Sequence, residues 1–362
     1  MNDRLRDLMS GRCRGLAPSA ARAGLRIAAA GYGVAIGHRN RRFDRGIGVF
    51  HASVPVISVG NLTAGGTGKT PVVALIANYF RRWGVNVALL SRGYHALKRH
   101  DRRQDVNDEA LVLEHLCPGV PHVQQADRVA GVAAAVARFG SEVLILDDGF
   151  QHRRLARDLD IVLIDATNPF GYGHLLPRGL LREPIENLRR ADLILLTRAD
   201  SVSRQNLLTI RETIARVAPC VPIIDVTFPA SRLVNSAGES SPLESLEEVP
   251  TLAFCGIGNP AGFAGTLKAA NVGPVEVVSF PDHHHYTQDD LARLARRADA
   301  FGVAAAVTTL KDLVKICAKS LPQPSGVPIW AVETGCDVVA NDTVLFGRLD
   351  DFVRRVAVPK AA

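Results

Sequence analysis

The most constraining feature of the sequence is a glycine-rich stretch between a predicted strand and a predicted helix. It reads Asn61-Leu62-Thr63-Ala64-Gly65-Gly66-Thr67-Gly68-Lys69-Thr70. A β-branched run at 54–60 precedes it, and an apolar-periodic run at 71–80 follows with proline in the first helical turn. Backbone N–H groups and the helix dipole attract phosphate at such a turn, while Lys69 and Thr70 can reach terminal phosphates and Mg²⁺. The pattern predicts a nucleotide site formed by residues 63–70.

One position of this stretch departs from the strict phosphate-loop pattern. That pattern has glycine at position 63, where this chain has threonine. The alternative is an ordinary glycine-rich turn between a strand and a helix. Such a turn needs neither Lys69 nor Thr70, so nucleotide binding is favoured.

An apolar strand later in the chain ends in two carboxylates, Asp147 and Asp148, after the run Glu142-Val-Leu-Ile-Leu146. Oxygen ligands at the end of a strand beside a phosphate loop are suited to Mg²⁺, bound directly or through water. A solvated strand terminus is the alternative. The phosphate loop upstream favours a magnesium site.

Strand-like and helix-like segments alternate from residue 54 onward. The predicted strands lie at 54–60, 86–91, 142–146, 160–165, 192–197, 221–226, 251–256, 275–280, 304–309 and 329–332. This order predicts an α/β fold with a P-loop NTPase-like, mostly parallel sheet covered by helices on both faces, followed by a second, smaller α/β domain. The predicted divisions are an N-terminal segment 1–45, a core 46–228, a linker or exposed hairpin 229–250 and a C-terminal domain 251–362.

Composition limits the possible partners and the compartment. The formal net charge of +7 favours anionic partners, which include nucleotides, phospholipid surfaces and nucleic acid. The six cysteines are scattered and form no CxxC pair, so the sequence indicates neither a zinc site nor a disulfide framework. A reducing cytosol is the simplest interpretation.

The first 45 residues are rich in arginine and contain an uncharged run at 27–37. This run is about half the ~20 residues needed to span a bilayer. An amphipathic helix at a membrane surface is favoured, with small apolar residues facing inward and arginines facing anionic lipid. The alternative is a solvated basic helix packed on the domain.

Several motifs in a fixed order together resemble the tetraacyldisaccharide 4′-kinase family, the lipid A 4′-kinases of Gram-negative envelope synthesis. The resemblance covers residues from about 10 to 350. The motifs are Asn61–Pro71, Ser91-Arg92-Gly93-Tyr94, Asp147-Asp148-Gly149-Phe150-Gln151-His152, Leu181-Arg182-Glu183-Pro184, Gly256-Ile-Gly-Asn-Pro260 with Phe263, and Phe280-Pro-Asp282-His283-His284.

The resemblance implies ATP-dependent phosphorylation, with Mg²⁺, of the 4′-hydroxyl of an acylated glucosamine disaccharide 1-phosphate. It also implies an anionic membrane surface as a partner, at the cytoplasmic face of the inner membrane. We expect no nucleic-acid partner and no obligate protein partner.

The resemblance assigns site residues position by position. Lys69 and Thr70 match the phosphate loop, and Asp147 with Asp148 matches the metal-side carboxylates. An acidic pair in the family lies in a Gly-Asp-Glu-Pro context, which corresponds here to Asn107-Asp108-Glu109-Ala110. Asp108 is then the base and Glu109 a metal-side carboxylate, while His283 pairs with the base. Arg182 would stabilise charge on the transferred phosphoryl group, with Arg178 as the alternative.

A second departure from the family lies at Leu310, where the family commonly has an acid before Lys311 and Asp312. Any carboxylate role at that position is therefore in doubt. Two other classes compete with the kinase. A P-loop GTPase or ATPase of the metallochaperone or partitioning type uses a similar loop, and a membrane-tethered nucleotide sensor would need neither Asp108 nor His283.

Overall fold

The computed structural model describes residues 3–93, 108–319, 321 and 327–357 of the 362-residue chain. Tyr94 and Asn107 of the motifs above lie outside the described residues. The described residues form ten α-helices: α1 (Asp3–Ser10), α2 (Leu16–Asp44), α3 (Lys69–Arg82), α4 (Asp108–Leu116), α5 (Arg128–Phe139), α6 (Arg204–Val217), α7 (Pro260–Ala269), α8 (Gln288–Phe301), α9 (Leu310–Ala318) and α10 (Asp342–Ala357).

The same residues form fourteen β-strands: β1 (Val56–Asn61), β2 (Val87–Ser91), β3 (His122–Gln124), β4 (Val143–Asp147), β5 (Leu159–Asp165), β6 (Leu193–Thr197), β7 (Ile223–Thr227), β8 (Ala230–Asn235), β9 (Ser240–Ser241), β10 (Thr251–Cys255), β11 (Pro274–Ser279), β12 (Ala305–Thr309), β13 (Ile329–Thr334) and β14 (Asp337–Ala340).

The chain folds into two compact units, each built from separate stretches of sequence. The first unit comprises Met1–Arg92, Gly119–Thr227 and Cys336–Ala362, and the second comprises Gly93–Pro118 and Phe228–Gly335. These units differ from the predicted divisions: α4 belongs to the second unit, and β14 with α10 belongs to the first. The chain returns to the first unit because β14 pairs with β7 along the edge of its sheet.

The first unit contains an eight-stranded sheet in the order β14-β7-β6-β5-β1-β4-β2-β3. Its strand pairs are parallel except at the edge, where β14 runs antiparallel to β7. β1 pairs with β4 so that Val59 lies opposite Asp147. Ligands of parallel sheets bind beyond the carboxyl ends of the strands. This register puts the phosphate loop and the acidic pair side by side.

Burial explains why these strands do not alternate apolar and polar residues, as strands with one exposed face do. Every residue of β1, β2, β4 and β6 is buried. Strands buried on both faces have nearly continuous apolar runs, as these do. The predicted α/β class, with a mostly parallel sheet covered on both faces, is confirmed.

The second unit contains a six-stranded sheet in the order β11-β10-β12-β13-β8-β9. Its first four strands are parallel to one another. β8 runs antiparallel to β13, and β9 runs antiparallel to β8. The predicted linker or hairpin at 229–250 contains β8 and β9, which form the hairpin. Helix α4 joins this unit because Val112 and Leu116 pack against an apolar cluster that includes residues of α9.

Helix α2 has 29 residues and turns a different face outward from the one expected. Leu16, Ile27 and Val34 are 93%, 77% and 71% exposed. They are separated by about three and about two helical turns, so they share one face. Two arginines instead turn toward the protein: Arg22 donates to the carbonyl of Cys13, and Arg39 lies beside Glu183. The outward face of α2 is therefore apolar. Among the described helices, none has the length and apolar content needed to cross a membrane.

Candidate active site

The phosphate loop leaves β1 at Asn61 and enters α3 at Lys69. Gly68 precedes the helix in a left-handed conformation with φ of 84°, which glycine adopts without steric cost. Other segments of the first unit hold the loop. The Ala64 N–H donates to the Leu180 carbonyl at 2.7 Å, and the Thr197 hydroxyl donates to the Thr67 carbonyl at 3.0 Å. A fixed loop before a helix N-terminus is an anion-binding site.

Lys69 lies in the first turn of α3 and contacts the ends of β1 and β4. Its Nζ lies 3.1 Å from Asn61 Oδ1 and 3.4 Å from Asp148 Oδ1. Thr70 follows it in the same turn, whereas Gly65 and Gly66 at the tip of the loop are exposed. The ammonium group is thus held beside the loop, where nucleotide phosphates would lie.

The acidic pair reaches the loop because β1 approaches the turn after β4 very closely. A Cβ placed on Gly60 would lie 2.5 Å from the backbone nitrogen of Phe150, far inside van der Waals contact. Only glycine fits at this position. The close approach explains why a glycine ends the predicted strand before Asn61.

Asp148 joins two cations. Arg182 Nη1 donates to Asp148 Oδ1 at 2.9 Å and to Oδ2 at 2.8 Å, and Lys69 Nζ lies 3.4 Å from Oδ1. Burial raises the pKa of Asp148, but the charges of Lys69 and Arg182 outweigh it, so the pKa lies below its usual value. The carboxylate is ionised at neutral pH and holds both cations in place.

The donor set fits ATP with Mg²⁺. Mg²⁺ in nucleotide sites is held by one or two protein oxygens together with substrate phosphates. Thr70 and the buried Asp147 supply such oxygens beside the loop. In the described part of the chain, no group of three or more His, Cys, Asp or Glu side chains could hold a metal by itself. A metal held mainly by phosphate oxygens requires no such group.

The Arg182 segment is tied to both the loop and α2. The Arg182 N–H donates to the Leu62 carbonyl at 2.9 Å, and the Tyr32 hydroxyl of α2 donates to the Arg182 carbonyl at 2.9 Å. Glu183 is fully buried and accepts from Asn40 of α2 at 2.9 Å and from Arg190 at 2.9 Å. The sequence motif contains Glu183, but its anchoring role was not foreseen.

The structure brings Asp108 and His283 together, although they lie 175 residues apart. His283 Nδ1 lies 3.0 Å from Asp108 Oδ2, with the carboxylate as acceptor. Both residues belong to the second unit, whereas the predicted divisions put them in different domains. Glu109 lies exposed in the first turn of α4, and its metal role stays a prediction.

The neighbouring histidine has a different environment. His284 Nε2 lies 2.9 Å from Asp290 Oδ2, and its ring stacks on Phe280 at 4.6 Å between centroids. His283 and His284 thus face different partners, as expected if only the first belongs to a site. Leu310, at the departure from the family, is buried in the apolar cluster of the second unit. Its side chain packs in this cluster, at the position where the resemblance predicts an acid.

Arg178, the alternative to Arg182, lies elsewhere in the first unit. Its guanidinium donates to the Met9 carbonyl at 2.6 Å. Burial and the nearby charges of Arg26 and Arg22 lower the pKa of Arg178. Arg182 is therefore the arginine that contacts the acidic pair.

A groove of about 550 Å³ runs beside α2 in the first unit. Its lining is mostly apolar and includes Ala29, Phe170 and Leu175. Arg26 and Arg178 also line it. An apolar groove with cations at its wall suits a molecule that has both apolar chains and an anionic group.

The chain is similar to known proteins over most of its length. A profile of the tetraacyldisaccharide-1-P 4′-kinase family (LpxK) matches residues 21–354. A tetraacyldisaccharide 4′-kinase from Anaeromyxobacter sp. strain K is 37% identical over 350 residues, covering 93% of this chain and 92% of that protein. One from Chlorobaculum tepidum is 38% identical over 309 residues, covering 81% and 86%.

A solved structure is also similar over nearly the whole chain. It is described as the "apo" form of LpxK from Aquifex aeolicus in complex with ATP. The TM-score is 0.71 at 30% sequence identity, and the match covers 93% of this chain and 99% of that one.

Proposed function

Because the chain belongs to the tetraacyldisaccharide-1-P 4′-kinase family, we propose that it transfers the γ-phosphoryl group of ATP to the 4′-hydroxyl of a tetraacylated glucosamine disaccharide 1-phosphate. The observation that carries this proposal is Lys69, held at the phosphate loop by Asn61 and Asp148. A bond forms between the 4′-oxygen and the γ-phosphorus, and the bond from that phosphorus to the bridging oxygen breaks. ADP leaves, and the hydroxyl proton passes to a protein base.

The phosphate loop and its cations would bind and orient the nucleotide. Lys69 neutralises charge on the β- and γ-phosphates, and Arg182, held by Asp148, stabilises charge on the transferred group. Mg²⁺ bound with ATP supplies further charge neutralisation. Thr70 and Asp147 are its proposed ligands, and Asp148 and Glu109 are the further carboxylates expected from the resemblance.

Asp108 is the proposed base. A sugar hydroxyl is a poor nucleophile, and a carboxylate that accepts its proton as the phosphorus–oxygen bond forms lowers the barrier. His283 contacts Oδ2 of Asp108 at 3.0 Å and leaves Oδ1 outside that contact. We assign Oδ1 as the proton acceptor and His283 as the residue that orients the carboxylate.

The groove beside α2 is the proposed site for the acylated acceptor. Its apolar lining suits acyl chains, and Arg26 and Arg178 suit a phosphate. Burial and the charges of Arg26 and Arg22 lower the pKa of Arg178, and three cations so close together favour a nearby anion.

The apolar face of α2 is the proposed contact with the membrane. Leu16, Ile27 and Val34 would enter the acyl boundary, while neighbouring arginines meet anionic headgroups. We propose that the protein acts at the cytoplasmic face of the inner membrane, where both ATP and the lipid are available. The apolar face, rather than net charge alone, supports this placement.

The proposal is tested by incubating purified protein with Mg²⁺, ATP labelled at the γ-phosphate and a tetraacylated disaccharide 1-phosphate. The expected result is a labelled bisphosphorylated lipid, located at the 4′ position by mass-spectrometric fragmentation. Omission of the lipid controls for hydrolysis. Nucleotide hydrolysis at the same rate with and without lipid, and no labelled lipid, would refute the kinase and favour the GTPase or ATPase alternative.

A further inference from the structure

Lys315 is a buried ammonium group in the second unit. It lies on α9 with 5% of its side chain exposed, and its Nζ lies 2.8 Å from Asp312 Oδ1. The same nitrogen donates to the His284 carbonyl at 3.2 Å. A charge is costly to bury unless a counter-charge and hydrogen bonds compensate it. Lys315 is therefore fixed in one position.

The same ammonium group faces the proposed base. Lys315 Nζ lies 4.0 Å from Asp108 Oδ2, the oxygen that contacts His283. Lys311, one turn earlier on α9, also lies 4.0 Å from Oδ2. Two cations and an imidazole thus meet at one oxygen of Asp108. Each restricts where that carboxylate can point.

Asp312 closes a ring of contacts that returns to His283. Its carboxylate is fully buried, and Oδ2 accepts from the Gly256 N–H at 3.0 Å. The Gly256 carbonyl in turn accepts from the His283 N–H at 3.2 Å. The ring runs from Lys315 through Asp312, Gly256, His283 and Asp108 back to Lys315. The buried Lys315–Asp312 pair is thereby linked to both Asp108 and His283, to Asp108 directly through Lys315 and to His283 through the backbone of Gly256.

His283 needs such support because its own surroundings restrain it weakly. His283 has 60% of its side chain exposed and a left-handed backbone with φ of 59°, which costs energy in a residue other than glycine. Asp108 is the first residue of α4. Without an external anchor, the exposed His283 side chain would take other rotamers and leave Asp108.

We propose that Lys315, anchored by Asp312, is a positioning residue for the Asp108–His283 pair. This inference rests on the proposed function, which assigns Asp108 as the base. Lys315 holds Oδ2 of Asp108 against His283, so that Oδ1 stays directed at the acceptor hydroxyl. Asp312 holds Lys315 and, through Gly256, the backbone of His283.

The test separates positioning from simple packing. Lys315→Met alone leaves Asp312 buried without its counter-charge, which destabilises the fold. The double variant Asp312→Asn/Lys315→Met removes both charges, and we expect its Tm to lie close to that of the parent. Lys319→Met is the matched control, because Lys319 is the C-cap residue that follows α9, four residues after Lys315, and its ammonium group donates to the backbone carbonyl of Tyr286.

If Lys315 positions the base, kcat of the folded double variant falls by about 10²-fold while the KM for ATP changes little. The same two changes in an Asp108→Ala background lower kcat no further, because the base they position is gone. Lys319→Met retains parental kcat. A folded double variant with parental kcat, or a loss repeated in full in the Asp108→Ala background, would overturn the proposal.

A second readout does not depend on kinase activity. The imidazole ¹⁵N resonances of His283, assigned from their loss in His283→Gln, should move in the double variant and stay in place in Lys319→Met. Unchanged resonances in the double variant would contradict the positioning role. A parent chain that forms no labelled lipid would instead refute the proposed function, and the resonances would still decide the role of Lys315.

Discussion

At the scale of single residues, Lys69 is the side chain that most directly links the fold to nucleotide chemistry. Its ammonium group is held by Asn61 and Asp148 at the edge of the loop. Lys69→Ala should lower turnover by at least about 10²-fold, because the charge on the transferred phosphoryl group loses a fixed cation. Steady-state kinetics measure the loss, and thermal unfolding checks the fold. A folded variant with near-parental activity would reject the nucleotide site.

Asp108 and His283 give a sharper test at the same scale. Each alanine substitution should lower kcat by roughly 10²–10⁴-fold, the usual effect of losing a positioned base. The double substitution should cost little more than the worse single one, because residues that act as a unit are not additive. ATP affinity should barely change, since neither residue belongs to the loop. Losses that multiply would show that the two act separately.

Glu183 makes a prediction about stability. It is fully buried, and its partners include Asn40 and Arg190. Glu183→Ala should lower the free energy of unfolding by about 3 kcal/mol, because it leaves a mostly buried arginine without its counter-charge. Chemical denaturation measures the change. The matched control is Glu212→Ala on α6, a residue outside this cluster. Equal stability of the two variants would contradict the anchoring role of Glu183.

At the scale of elements, α2 has two faces with separate tasks. One face carries Tyr32 and Asn40, which bind the segment around Arg182, and the opposite face exposes Leu16, Ile27 and Val34. Deletion of residues 1–40 would remove both faces and therefore disturb chemistry as well as membrane binding. Substitutions confined to the outward face separate the two.

The variant Leu16→Ser/Ile27→Ser/Val34→Ser should therefore lose membrane binding and keep its fold. The apolar area available to the acyl boundary falls, while the inward contacts of α2 stay intact. Flotation with vesicles of anionic lipid, at low and high salt, measures binding. Leu208→Ser, at another exposed leucine, is the control. A triple variant that floats as fully as the parent would exclude this face as the membrane contact.

At the scale of the whole molecule, buried titratable groups predict how stability depends on pH. Burial lowers the pKa of His122 to about 4, and it does the same for His152 with help from nearby arginines. In the unfolded chain both histidines have a pKa near 6.5. Below that pH the unfolded chain therefore binds protons that the folded chain does not bind until about pH 4. Stability is lost as pH falls from about 6.5 to about 4.

Asp160 acts in the opposite direction. Burial raises its pKa to about 6, despite the charge of Arg157, so the folded chain takes up this proton before the unfolded chain does. The two histidines destabilise the fold as pH falls, and the single aspartate stabilises it. Because the two histidine effects together exceed that of Asp160, we expect a net loss of stability. Denaturation at pH 7 and pH 5 should show this loss, and His122→Gln should reduce it. An unchanged pH dependence in His122→Gln would contradict the assignment of a buried neutral His122.

The sequence alone determined the glycine-rich loop, the acidic pair at the end of β4 and the α/β class. These features depend on neighbouring residues. Glycines, a lysine and a threonine between a strand and a helix define the loop, and continuous apolar runs define strands buried on both faces. The alternating pattern favoured a parallel sheet, and the structure adds that β1 and β4 are neighbours, which brings Asn61, Lys69 and Asp148 together.

Only the tertiary structure decided the rest. The family resemblance implied the pair of Asp108 and His283, but not the packing of α4 on the second unit through Val112 and Leu116, which also brings Asp108 to Lys315. The pattern of α4 shows that it is a helix but not which sheet it covers. Helix α2 carries apolar residues around much of its circumference. Its sequence therefore does not show which face packs on the protein and which face points outward. Contacts between distant elements, and not local preference, select which face is buried.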